Sequence, residues 1–123
     1  MISYAMVGSK DLPRSGEFFD KVLGVVGAHR AMERDTSIMW ASDADKPFFA
    51  ACLPHDGNEA SVGNGSMISF GADTKEQVHD MYQAAQDNGG SCEGEPGPRG
   101  DQYYMAYFRD PDGNKFSIFH NLG

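Results

Sequence analysis

The side chains able to do acid–base, nucleophilic or metal chemistry are few in this sequence and widely spaced. The four histidines are His29, His55, His79 and His120, and no two stand at i, i+4 or H-x-H spacing. Such spacing is what lets two imidazoles converge on one metal ion from a single helix or strand face. His55 follows Pro54 in a polar stretch and is the histidine retained as an acid–base candidate, since imidazole titrates near neutrality. Cys52 and Cys92 belong to no C-x-x-C motif and have no basic or histidine residue beside them, which points to free thiols rather than a redox pair or a nucleophile. The acidic pairs Asp43/Asp45, Glu93/Glu95 and Asp110/Asp112 fall in turns or near strand ends, where solvated caps are commoner than a catalytic dyad. Arg99 closes the segment Gly94-Glu95-Pro96-Gly97-Pro98-Arg99-Gly100, too proline-rich for a flexible linker. Either this segment folds over a cleft and offers Arg99 to an anionic group, or it is a rigid surface turn with a solvated Arg.

Composition narrows the classes further. The chain has 123 residues, within the range of one domain, and a chain of that size buries roughly two thirds of its unfolded surface. No apolar run approaches the ~18 residues of a membrane span, and no basic stretch followed by an apolar one opens the sequence. A soluble cytoplasmic protein without a membrane partner is therefore the expectation. Net charge is −8, from 18 acidic against 10 basic residues, and the Lys and Arg residues are scattered. Such a chain repels phosphate backbones, so nucleic acid is not an expected partner.

The elements that must position these groups repeat. Residues 2–8 read as a strand, and Asp11 then caps a helix with Pro13 in its first turn. Leu12, Phe19, Val22 and Leu23 share one face of that helix, and Gly24 is its expected stop. The pattern returns 63 residues later: a strand over 66–71, Thr74 with Gln77 as a capping box, an apolar face of Val78, Met81, Tyr82 and Ala85, and Asn88-Gly89-Gly90 as terminator. Tyr4 thereby maps onto Met67, Gly8 onto Gly71 and Phe19 onto Tyr82, and we read the sequence as an internal duplication. Strand-like stretches follow each helix, at 28–34, 37–41 and 47–53, then at 91–94, 103–109 and 115–120. Asp110-Pro111-Asp112-Gly113 suits a type I turn with Gly at the left-handed exit. The expected fold class is α+β: two βαβββ modules forming paired, curved mixed sheets around a cleft. Module one covers about residues 1–56, the connector about 54–65 and module two about 66–123 of a single domain.

The segments "YAMVGSKDLPRSGEFFDKVLG", "MISFGADTKEQVHDMYQAA" and "YYMAYFRDPDGNKFSIF" resemble the vicinal oxygen chelate superfamily, the glyoxalase, bleomycin-resistance and extradiol dioxygenase group. The D-P-D-G-N-K turn after an aromatic strand is the most specific part of the likeness. The resemblance implies a glyoxalase-like fold, but not one activity, because the fold hosts several. It also implies where metal ligands would stand: on the first and the last strand of each module. The matching residues here are Tyr4, Ala51, Met67 and Ser117. Alanine carries no donor, a thioether suits soft metals, and a hydroxyl or neutral phenol is a poor ligand near neutrality. No metal and no other cofactor is therefore expected.

The cleft implied by the resemblance would be lined, by strand alternation, with Tyr4, Met6, Phe49, Ala51, Met67 and Ser69. If the last hairpin pairs Arg109 with Lys115, Tyr107 lies opposite Ser117 and joins them. Plain core packing is the competing role for Met6, Phe49 and Met67, and the face of Trp40 is open. Such a wall suits a small aromatic or amphipathic molecule held by stacking and one or two hydrogen bonds. The expected function is binding of such a molecule, as in the bleomycin-resistance relatives, with no catalytic residue assigned. The alternative is a lyase or dioxygenase-type enzyme, with His55, Tyr107 and Arg99 as weak catalytic candidates. A third reading is a dimer with an atrophied cleft. The resemblance implies a homodimer, and open sheet edges agree with it.

Overall fold

The structure, a computed structural model, describes residues 1–123. In chain order it contains β1 (Tyr4–Gly8), α1 (Leu12–Gly24), β2 (His29–Glu33), β3 (Ser37–Ala41), β4 (Phe48–Cys52), β5 (Ile68–Gly71), α2 (Lys75–Asp87), β6 (Ser91–Arg99), β7 (Tyr103–Arg109) and β8 (Lys115–Asn121). The β-α-β-β-β order thus occurs twice, and residues 54–65 between the halves hold no helix or strand. Each half forms a four-stranded mixed sheet, ordered β1-β4-β3-β2 in the first and β5-β8-β7-β6 in the second. The parallel pairs are β1 with β4 and β5 with β8, and the other neighbours are antiparallel. No helix is long and apolar enough to cross a membrane.

Local chemistry accounts for both helices. Asp11 accepts a hydrogen bond from the Arg14 amide and Thr74 from the Gln77 amide, so each cap satisfies an amide left free in the first turn. The Gln77 side chain returns a bond to the Asp73 amide, one residue before the cap. In α2, Gly89 reverses the chain at φ +95°, as its position after Asn88 foretold. In α1 the stop differs from expectation: Gly24 stays helical and Gly27, at φ +83°, makes the reversal. The Ala28 amide closes it on the Leu23 carbonyl at 3.0 Å.

The helix-facing sides of both sheets and the apolar faces of both helices merge in one core. Phe19 lies at its centre, with ring centroids 4.7 Å from Phe49, 5.4 Å from Trp40 and 5.5 Å from Phe116. Phe49 of the first sheet meets Phe70 at 5.5 Å and Phe116 at 5.7 Å in the second, so residues of both sheets are in direct aromatic contact. Trp40 takes the core side of β3 and donates its indole N–H to Asp20 at 2.9 Å. Arg30 grips the same carboxylate through two nitrogens at 2.8 and 2.9 Å.

The Asp110–Asn114 turn ties the halves together. Asp112 accepts from the Lys10 amide at 3.0 Å, from Arg14 at 2.8 Å and from the Ser15 hydroxyl at 3.2 Å. The start of α1, in the first half, is thus bonded to a carboxylate supplied by the second. Asn114 adds a bond to the Gly8 carbonyl at 3.0 Å.

Candidate functional site

Alternation along the strands divides the residues expected in the cleft. On β7 and β8, Ala106, Phe108, Phe116 and Ile118 face the core, so Met105, Tyr107 and Ser117 take the opposite, open face. The register pairs Arg109 with Lys115 and Tyr107 with Ser117, and on the other flank Ser69 with Ser117. Tyr107, Ser117 and Ser69 therefore come together. Ser117 is fully covered and donates to the Ser69 hydroxyl at 2.6 Å, which leaves the exposed Ser69 hydroxyl able to donate outward. Met67 precedes this group on the chain and stays exposed. Met6 meets Met67 and Lys115 around a depression of about 440 Å³ at the junction of β1 and β5.

Tyr4 and Met6 lie on the open face of the first sheet, 51 % and 45 % exposed. Phe49 and Ala51 do not join them. The parallel register sets Tyr4 beside Phe48 and Met6 beside Ala50, so Phe48, Ala50 and Cys52 share the open face, while Phe49 and Ala51 belong to the core. A one-residue difference in register moves a side chain to the other face of a sheet, and the alternation expected for β4 has the opposite parity. Phe48, which the sequence reading passed over, stacks flat on Tyr4 with centroids 4.8 Å apart.

The segment 94–100 is neither a flap over the cleft nor an isolated surface turn: it continues β6 along β7, where Gly97, Pro98 and Arg99 pair with Met105, Tyr104 and Tyr103. Register shifts between Cys92 and Gly97 and the free edge position of β6 accommodate both prolines. Arg99 nevertheless reaches the open face, with its guanidinium 5.6 Å from the Tyr107 ring centroid. Lys115, also missed, places its ammonium 5.6 Å from the same ring. Its signal was present in the sequence, since it stands two residues before Ser117 and so shares that face. The Tyr107 hydroxyl donates to the Met105 sulfur at 3.6 Å. His55, exposed in the turn after β4, shares no element with Tyr107 or Arg99.

The residues at the positions implied for metal do not fit a divalent ion. Ala51 is turned into the core, its open-face neighbour Ala50 has no donor, and the Ser117 hydroxyl is committed to Ser69. Nowhere do three His, Cys, Asp or Glu side chains gather in a metal-binding group. Both thiols are free, Cys92 exposed and Cys52 half-buried, and burial pushes the Cys52 thiol up from its ordinary value. A raised value lowers the thiolate fraction at pH 8. Iodoacetamide, followed by mass spectrometry, should label Cys92 at least severalfold faster than Cys52. Faster labelling of Cys52 would mark it as an activated thiol.

This fold and open face define a class, and comparison with known proteins agrees with it. The sequence model of the Glyoxalase/Bleomycin resistance protein/Dioxygenase superfamily matches residues 1–118. A glyoxalase/bleomycin resistance protein from Albidiferax ferrireducens T118 has the same fold at a TM-score of 0.91 and 39 % identity, over 98 % of both chains. The chain belongs to the glyoxalase/bleomycin resistance protein/dioxygenase superfamily. A family enzyme from Burkholderia phytofirmans PsJN is similar at a TM-score of 0.76 and 20 % identity, again over 98 % of both chains. Lactoylglutathione lyase from Agrobacterium tumefaciens is similar at 0.72 and 17 %, over 98 % of this chain and 92 % of that one. These two likenesses concern the fold alone. No curated protein is significantly similar to the chain.

Proposed function

We propose that this chain binds a small aromatic or amphipathic molecule on the Tyr107 face without a divalent metal. One observation carries the reading: an aromatic ring flanked by two cations, Arg99 and Lys115, stands beside a paired serine hydroxyl on a sheet face that no helix covers. The ring offers stacking area, Ser69 a hydrogen bond and the cations an electrostatic bias, and none of these needs a bound ion. The reading includes a homodimer, supported by the free edge of β1 and by apolar exposure at Tyr4, Met6 and Met32. The free thiols suit a reducing cytoplasm.

Titration of EDTA-dialysed protein with 2-naphthol, followed by fluorescence, tests the binding. The unsubstituted protein should bind, and Tyr107→Ala should raise Kd about tenfold, the loss of one good ring contact. Met32→Ala, on the open face of the other sheet, should leave it unchanged. Binding that appears only after zinc, nickel or manganese is added, or that ignores Tyr107→Ala, would defeat the proposal.

A further inference from the structure

We infer that the turn Gly63–Ser66 and Lys115 form a subsite for an oxyanion, a carboxylate or phosphate arm of the molecule whose ring lies on Tyr107. The ring's place rests on the function proposed above. The subsite has its own observations. A depression of about 540 Å³ is bounded on one side by Gly63–Met67 and on the other by Lys115 and Arg109. The Ser66 amide closes the turn on the Gly63 carbonyl at 3.1 Å. The amides of Gly63, Asn64 and Gly65 enter no backbone hydrogen bond. Gly65 is at φ +92°, a conformation that lets successive amides face one concavity. A Cβ on Gly63 would come within 2.6 Å of the Ser66 hydroxyl oxygen, so glycine there lets that hydroxyl lie against the turn.

The cations supply the rest. In a chain of net charge −8, three of the ten basic residues, Arg99, Arg109 and Lys115, gather around one face. Glu93 takes up Arg109, which also donates to the Gly113 carbonyl at 2.7 Å, so Arg109 shapes the wall with its charge offset. Arg99 donates to the Glu95 and Pro98 carbonyls and meets no carboxylate. Lys115 enters no ion pair and borders both the depression and the Tyr107 ring. An oxyanion between Lys115 and the free amides would gain charge-assisted hydrogen bonds from both sides. A planar ring carrying such an arm could then rest on Tyr107 while the arm enters the turn.

The test compares 2-naphthyl phosphate with 2-naphthol and with inorganic phosphate, by titration and by mapping amide shifts in the ¹⁵N spectrum. Naphthyl phosphate should bind about tenfold more tightly than naphthol and shift the amides of Gly63, Asn64 and Gly65. Lys115→Gln should weaken naphthyl phosphate severalfold more than it weakens naphthol, and Lys115→Arg should restore most of that difference. Equal affinity for the two ring compounds, or a Lys115→Gln effect common to both, overturns the subsite and leaves the aromatic face standing. Inorganic phosphate shifting the turn amides while naphthol fails to bind supports the subsite and sinks the aromatic reading. Binding of none of the three overturns both.

Discussion

Phe19→Ala is expected to lower the unfolding free energy by about 3–5 kcal/mol, a large share of the stability of a domain this size. The side chain is wholly buried and touches Phe18, Trp40, Phe49 and Phe116, rings drawn from α1 and from both sheets. Truncation would leave a void bordered by rings already in contact with other elements, which have little freedom to collapse into it. Urea unfolding followed by Trp40 fluorescence measures the loss, and the melting temperature should fall by about 10–20 °C. Met6→Ala, at a half-exposed position on the open face, should cost less than about 1 kcal/mol and serves as the contrast. A Phe19→Ala loss below about 1.5 kcal/mol would mean that the two halves do not depend on a shared core. Unfolding in two steps would mean the same, whatever its total cost.

The parts of this molecule legible in the sequence are those decided by neighbours along the chain. Asp11 and Thr74 announced both helices because a cap is a bond between residues three apart. Gly113 announced its turn because only the local backbone, at φ +91°, demands it. The pairing of Tyr107 with Ser117 was also within reach, since a short turn fixes the register of the hairpin it closes. What escaped depends on partners far off in sequence. Strand β4 lies between β1, some forty residues earlier, and β3, reached across a loop longer than a tight hairpin turn, so its own few residues do not tell whether Ala51 or Ala50 faces outward. The extent of β6 depends on β7 accepting an edge strand with shifted register, which local rules against proline in strands do not reveal. The same limit hid the turn at Gly63: it is ordinary in sequence, and only the meeting of β8 with the end of the connector brings it beside Lys115.

Asp110→Ala should cost about 2–4 kcal/mol, because it strips three donors of one buried acceptor. One Asp110 oxygen accepts from the Asp112 and Asn114 amides at 3.0 and 2.9 Å, and the other from the Asn114 side chain at 2.9 Å. These bonds hold Asp112 where it receives Lys10, Arg14 and Ser15, and hold Asn114 against Gly8, so losing them loosens the joint between halves. Burial is the largest influence on this carboxyl and pushes it above its ordinary value, although the three bonds pull the other way. A carboxyl with a raised value in the folded state takes up its proton there before the unfolded chain does. Asp110 thus adds stability as pH falls through its folded value, and that gain levels off below the ordinary 3.8. The difference between the unsubstituted protein and Asp110→Ala should therefore widen from pH 7 toward pH 4. Urea titrations at the two pH values measure it. A gap that narrows on acidification would mean that the hydrogen bonds, rather than burial, set the ionisation of Asp110.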